Sequence, residues 1–181
     1  MNGAKQETHP LRWLAVLVIL ALVLQGGRAV WRRIRIPGEL LSFAASYPEA
    51  RDYVFSYPQE AGRTHEIDLS AEAGEGIPLL LQWDKRWGYE PYGDGWIGNS
   101  GCGPTCVSMV VIGLTGQTNW HPLAVAQFSE AQGYYENGVG TSWALMTEGA
   151  QMLGLGSVRG ELTEDWVREN LTPETPLIAS M

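Results

Sequence analysis

The chain has 181 residues, 45% hydrophobic and 18% charged, a globular composition that excludes wholesale disorder. Its formal charge of −8 is unevenly spread: six basic residues and one acid lie up to Ile36, leaving six basic against nineteen acidic residues beyond. A body this acidic repels phosphate backbones and argues against nucleic acid as a partner. Two cysteines exclude a disulfide framework and a four-cysteine zinc site.

Trp13 to Leu24 (WLAVLVILALVL) is an unbroken apolar run, with Arg12 before it and Arg28 after Gln25-Gly26-Gly27. The uncharged stretch between these arginines makes roughly 22 Å of helix, below the roughly 30 Å of bilayer hydrocarbon. Snorkelling by Arg12 and Arg28, with Trp13 and Trp31 at the interfaces, extends its reach. Lys5 and Arg12 supply a positive leading segment, whereas Gly27-Arg28-Ala29 makes only a poor cleavage site. The expectation is a signal anchor over residues 1–36. It enters the membrane through residues 13–27 and holds the body at the cell membrane as a single-pass protein, with an extracytoplasmic body.

From Pro37 to about Gly62 the pattern predicts short helices broken by proline, with Leu40, Leu41, Phe43, Tyr47, Tyr53 and Phe55 available for packing. A linker follows to Gly76, so that residues 37–76 form a connecting region and 77–181 the main domain. Within that domain, Ile77–Leu81 reads as a strand leading into Gln82. Trp83–Gly101 reads as an aromatic, glycine-rich loop, more simply a packed loop than a sugar-stacking surface. Helices are predicted from Gly103 to about Leu114, from Pro122 to Gly133, over Trp143–Leu153 and from Thr163 to Leu171. Pro176–Met181 then reads as a buried strand.

GCGPTC, Gly101 to Cys106, is the most informative stretch. Cys102 immediately precedes a predicted helix, where backbone N–H groups and the helix dipole favour a thiolate. The flanking glycines allow a substrate carbonyl to approach. Gln82, at a strand end, can donate its amide to the oxyanion of a tetrahedral intermediate beside the Cys102 N–H. Cys106, among Val107, Met109 and Val110, reads as an inert core thiol. Open at this point are a strained Cys102–Cys106 disulfide and zinc held with a histidine, though the usual zinc spacings are absent. Asp84 and Asp94 lack regular calcium spacing, and Gly138-Val139-Gly140 is no phosphate loop. Together with Tyr134-Tyr135, that glycine segment reads as a turn or wall near the site. No cofactor and no metal are expected.

The stretch IPLLLQWDKRWGYEPYGDGWIGNSGCGPTCVSMVV, continuing through HPLAVAQFSEAQGYY, GTSWALMTEGAQMLGL and TPLIASM, resembles the start of a C39-like domain. The C39-like families are papain-like cysteine peptidases, among them the bacteriocin-processing, double-glycine leader peptidases. The resemblance spans Ile77 to Met181. It implies a papain-like α+β fold, peptide or protein substrates, Cys102 as nucleophile and Gln82 in the oxyanion hole.

It also implies a downstream histidine base, but no histidine follows His121. His9 and His65 lie outside the domain, and His121 beside Pro122 reads as a cap. The expectation is therefore a membrane-anchored cysteine peptidase truncated before its histidine, incomplete at the C-terminus and inactive in this form. The alternative is a non-catalytic cell-surface binding module on the same fold.

Overall fold

The computed structural model describes residues 10–74, 76–161 and 163–179. They form a small α+β fold, roughly half helical, with two short two-stranded antiparallel ribbons. The N-terminal helix α1 (Pro10–Arg35) is followed by α2 (Gly38–Ser46), a 3-10 turn (Pro48–Ala50) and α3 (Arg51–Glu60). After a segment of turns and irregular chain come the ribbon β1 (Pro91–Tyr92) and β2 (Gly95–Trp96), the single turn α4 (Ile97–Ser100) and the central helix α5 (Cys102–Thr115). Next are α6 (Pro122–Ala131) and the ribbon β3 (Tyr135–Glu136) and β4 (Gly140–Thr141). A 3-10 turn (Trp143–Met146), α7 (Glu148–Met152) and α8 (Glu164–Asn170) complete the order.

Two expectations are corrected here. Among the described residues, no helix is long and apolar enough to cross a membrane. Although α1 is 26 residues long, its unbroken apolar run is confined to Trp13–Leu24, about 18 Å of helix against about 30 Å of hydrocarbon. This overturns the single-pass anchor, and with it the cell-membrane placement of an extracytoplasmic body.

The papain-like fold, incomplete or otherwise, is not what the structure shows either. A sheet needs a ladder of partners, and among the described residues Ile77–Leu81 has none: it belongs to no strand. Pro78 lacks an N–H, and the Leu80 N–H is directed at Met109 Sδ, 3.3 Å away. Pro176–Ala179 likewise belongs to no strand, and Ser180 and Met181 lie outside the described residues. Lys5 and His9 lie outside them too.

The helix boundaries follow local chemistry. Pro104 sits in the first turn of α5, and Gly116 ends that helix in the left-handed region at φ 70°. Thr163 caps α8, its Oγ1 accepting from the Trp166 N–H at 3.3 Å. The helix expected over Trp143–Leu153 is instead broken at Thr147 (φ −109°, ψ −86°) into the 3-10 turn and α7.

α2 and α3 pack onto the aromatic loop through Leu40, Ala44, Tyr53, Val54 and Tyr89. Tyr53 and Tyr89 stack with ring centroids 4.5 Å apart. The Tyr53 hydroxyl donates to Gly88 O and the Tyr89 hydroxyl to Tyr53 O, each at 2.7 Å. The other side chains expected to pack here divide: Leu41 and Phe43 are partly buried, while Tyr47 and Phe55 are largely exposed.

Below the loop, Leu69, Leu80, Trp87, Tyr92, Ile97, Ile112 and Ala126 form the core that carries α4 and α5. Arg86 ties the segment before this core to the loop. Its guanidinium makes two bonds to Asp84, donates to Asp68 O at 2.6 Å and pairs with Glu72.

Candidate functional site

The site is built at the start of α5. Gly101 (φ −91°, ψ 23°) is the joint between α4 and α5, and its N–H donates to Ile97 O at 2.8 Å. Cys102 is the first residue of α5 and is exposed. The first turn of a helix leaves N–H groups without intrahelical acceptors, a setting that favours negative charge.

Packing accounts for both flanking glycines. A Cβ on Gly101 would lie 2.6 Å from Ile97 O, and one on Gly103 would lie 2.7 Å from Thr141 Cγ2 and 2.9 Å from Met146 Cε. The sequence reading assigned them to substrate approach. The structure gives them close approach of α4 and of β4 with the following 3-10 turn.

Cys102 opens onto a cavity of about 520 Å³. Its walls include Asp94 and Ser100 on one side and Tyr135, Val139, Thr141 and Trp143 on the other. The glycine segment read as a wall near the site thus lines it. It is held there across a long sequence separation: the Gly138 N–H donates to Asp94 Oδ2 at 3.1 Å, and the Asp94 N–H to the Tyr135 hydroxyl at 3.1 Å. The Tyr92 hydroxyl bridges Ser129 (2.9 Å) and Thr141 (2.8 Å), fixing β4 to α6. A second cavity, about 550 Å³, shares Trp143, Met146, Ile178 and Ala179 as a wall.

Sequence reasoning missed Trp143, Met146 and Ile178 as wall residues, because only the break at Thr147 and the return of the C-terminal segment bring them here. Asp94 had been considered only as a calcium ligand. Among the described residues, no group of three histidine, cysteine, aspartate or glutamate side chains is placed to hold a metal ion.

Gln82 does not line the cavity. Its Nε2 donates to Gly98 O at 3.1 Å, against α4 and four residues before Cys102. In a continuous helix Gly98 O would accept the Cys102 N–H, so the Gln82 amide is held at the joint that the nucleophile candidate follows. Nε2 carries a second hydrogen beyond the one given to Gly98.

Cys106, one turn into α5, is half-buried and lines the same cavity. Burial, with Cys102 beside it, pushes its thiol above the usual range.

Neither described histidine lines this cavity. His65 lies 3.7 Å from Glu60 Oε2, beyond the end of α3. His121 is the N-cap of α6, its Nδ1 accepting from the Ala124 N–H at 3.2 Å. Burial pulls the His121 imidazole below its usual value, against a smaller opposing effect of a backbone hydrogen bond.

A lowered folded-state value means that the unfolded chain takes up the proton first. Stability from this group is thus full above about pH 6.5 and is lost as pH falls through the lower folded value. Protonation also removes the acceptor of the cap, worth about 1 kcal/mol. Thermal melting followed downward from neutral pH should therefore fall more steeply in the parent than in His121→Asn, which keeps a capping oxygen that does not titrate. Identical acid profiles would remove His121 from this role.

Comparison with protein-family models, with curated proteins and with solved structures finds no match.

Proposed function

We propose that Cys102 is the nucleophile of a peptidase-type acyl-transfer site, acting on peptide or protein carbonyls as the C39-like cysteine peptidases do. The observation that carries the reading is an exposed thiol on the first residue of the central helix, opening onto a cavity of about 520 Å³. The Cys102 sulfur attacks the carbonyl carbon, a C–S bond forms, and the carbonyl oxygen gathers the negative charge. The Cys102 and Gly103 N–H groups at the start of α5 are the donors for that oxygen, and Gln82, which does not line the cavity, holds the Gly98 carbonyl just before them through its Nε2.

The test is a short peptide carrying a C-terminal acyloxymethyl ketone, with the adduct located by peptide mapping. Adduct formation at Cys102, faster than with an unstructured peptide thiol, is expected. A rate no greater than that of the unstructured thiol would overturn the proposal. In the same assay Gln82→Ala, which releases Gly98 O, should slow adduct formation by about fivefold, the worth of one hydrogen bond of about 1 kcal/mol. An unchanged rate would remove Gln82 from the site.

A second reading rests on the absence of a histidine from the cavity wall among the described residues. Without a base to accept the thiol proton and protonate the leaving amine, the same cleft serves a module that binds peptides without cutting them. Reversible binding of an unreactive peptide, combined with failure of the ketone peptide to modify Cys102, would favour that reading.

A further inference from the structure

α5 carries two thiols one turn apart, and the acyl-transfer reading uses only one. Cys102 and Cys106 are four residues apart, so they share a helix face, and both line the cavity of about 520 Å³. One is exposed and the other half-buried, so an oxidant from solvent meets Cys102 first. The higher value of the Cys106 thiol, set first by burial and then by Cys102, acts in the same direction.

One helical turn sets their Cα atoms about 6.2 Å apart, within the range that a disulfide spans. Their Cβ atoms, about 5–6 Å apart in a regular helix, must close to about 4 Å, which requires the first turn to open. Cys102, the first residue of α5, is exposed, whereas Gly103 and Pro104 behind it are buried, so the movement falls on the Cys102 end of the helix. Gly103 also packs directly against Thr141 and Met146, so opening the turn displaces the cavity wall.

We propose that Cys102 and Cys106 form a reversible thiol–disulfide pair that takes the Cys102 thiol out of use in response to hydroperoxides. In the first step the Cys102 thiolate attacks a peroxide oxygen. An S–O bond forms, the O–O bond breaks, and the leaving alkoxide or hydroxide is protonated, giving a sulfenic acid. In the second step the Cys106 sulfur attacks the Cys102 sulfur. The S–S bond forms, the S–O bond breaks, and hydroxide leaves as water with the proton from Cys106. Two thiols are oxidised while the peroxide is reduced to an alcohol, or water, plus water. A dithiol reductant reverses the change. The pair functions whether or not Cys102 transfers acyl groups, because its chemistry needs no carbonyl substrate.

The test treats the full chain with one equivalent of hydrogen peroxide, alkylates it under denaturing conditions with iodoacetamide and measures intact mass and peptide maps. The expected result is loss of two hydrogens, loss of alkylation at both cysteines, an internal Cys102–Cys106 link and full recovery after dithiothreitol. In Cys106→Ser, dimedone should trap the sulfenic acid at Cys102. Parent protein that retains an alkylatable Cys106 while Cys102 accumulates as sulfenic or higher acid would overturn the proposal. So would a disulfide formed between two chains in place of the internal one. These mass readouts stand apart from the ketone-peptide assay, so either proposal can fail without the other.

Discussion

Cys102→Ser is expected to abolish modification by the ketone peptide, whereas Cys106→Ser leaves it within a few-fold of the parent. The difference follows from placement. Cys102 is exposed at the first position of α5, while Cys106 is half-buried a turn further in, with burial holding it as the neutral thiol. Serine preserves size and helix geometry but lacks the easily formed anion, and loss of the nucleophile in an enzyme of this chemistry costs about a millionfold. Melting temperature should barely change, because an exposed side chain at a helix start contributes little packing. Time-resolved intact mass at matched probe concentration makes the comparison. Equal modification of parent and Cys102→Ser would sink the nucleophile assignment, whatever residue carried the adduct.

Trp87→Ala should have the largest effect on stability, a loss of about 3–5 kcal/mol from the cavity it leaves. Trp87 is fully buried and packs with Leu69, Leu80, Tyr92, Ile97, Ile112 and Ala126. Its Nε1–H donates to Leu81 O at 3.0 Å, and the Arg86 guanidinium lies 4.8 Å from its ring centroid. Alanine removes the ring and one of the two donors to Leu81 O, the other being the Asp84 N–H at 3.0 Å, a further cost of up to about 1 kcal/mol. Because Leu81 precedes Gln82, the same change should loosen the Gln82 amide and slow modification of Cys102 under conditions where the variant stays folded. Trp87→Phe separates the two contributions, keeping most of the apolar volume while losing the hydrogen bond. Denaturant unfolding measures the loss, and a shift below about 1 kcal/mol for Trp87→Ala would contradict a core organised around this residue.

Helix starts and stops were legible in the sequence because their determinants are local. The run Gly101-Cys102-Gly103-Pro104 marks a helix start with glycine and proline, and α5 begins there; Gly116, Pro122 and Thr163 act in the same local way. The apolar runs were misread for complementary reasons. Ile77–Leu81 has strand composition, but a strand exists only if another segment completes its ladder, and none does among the described residues. Trp13–Leu24 has membrane composition, but crossing depends on a length that the run does not reach.

What the sequence by itself determined is the chemistry available. It places a cysteine at a helix start, a second thiol one turn on, and a glutamine and aromatic loop upstream, because residue type, glycine and proline act within a few positions. Tertiary structure alone decided what that thiol faces. The bond from Gly138 to Asp94 spans 44 residues, and the turn of the chain at Thr147 brings Trp143 and Met146 to the cavity. The cap made by His121, by contrast, was legible locally beside Pro122, and its Nδ1 accepts from the Ala124 N–H three residues on. The cavity placements depend on which distant surfaces bury one another, and the free energy of that burial depends on area and fit rather than on any local pattern.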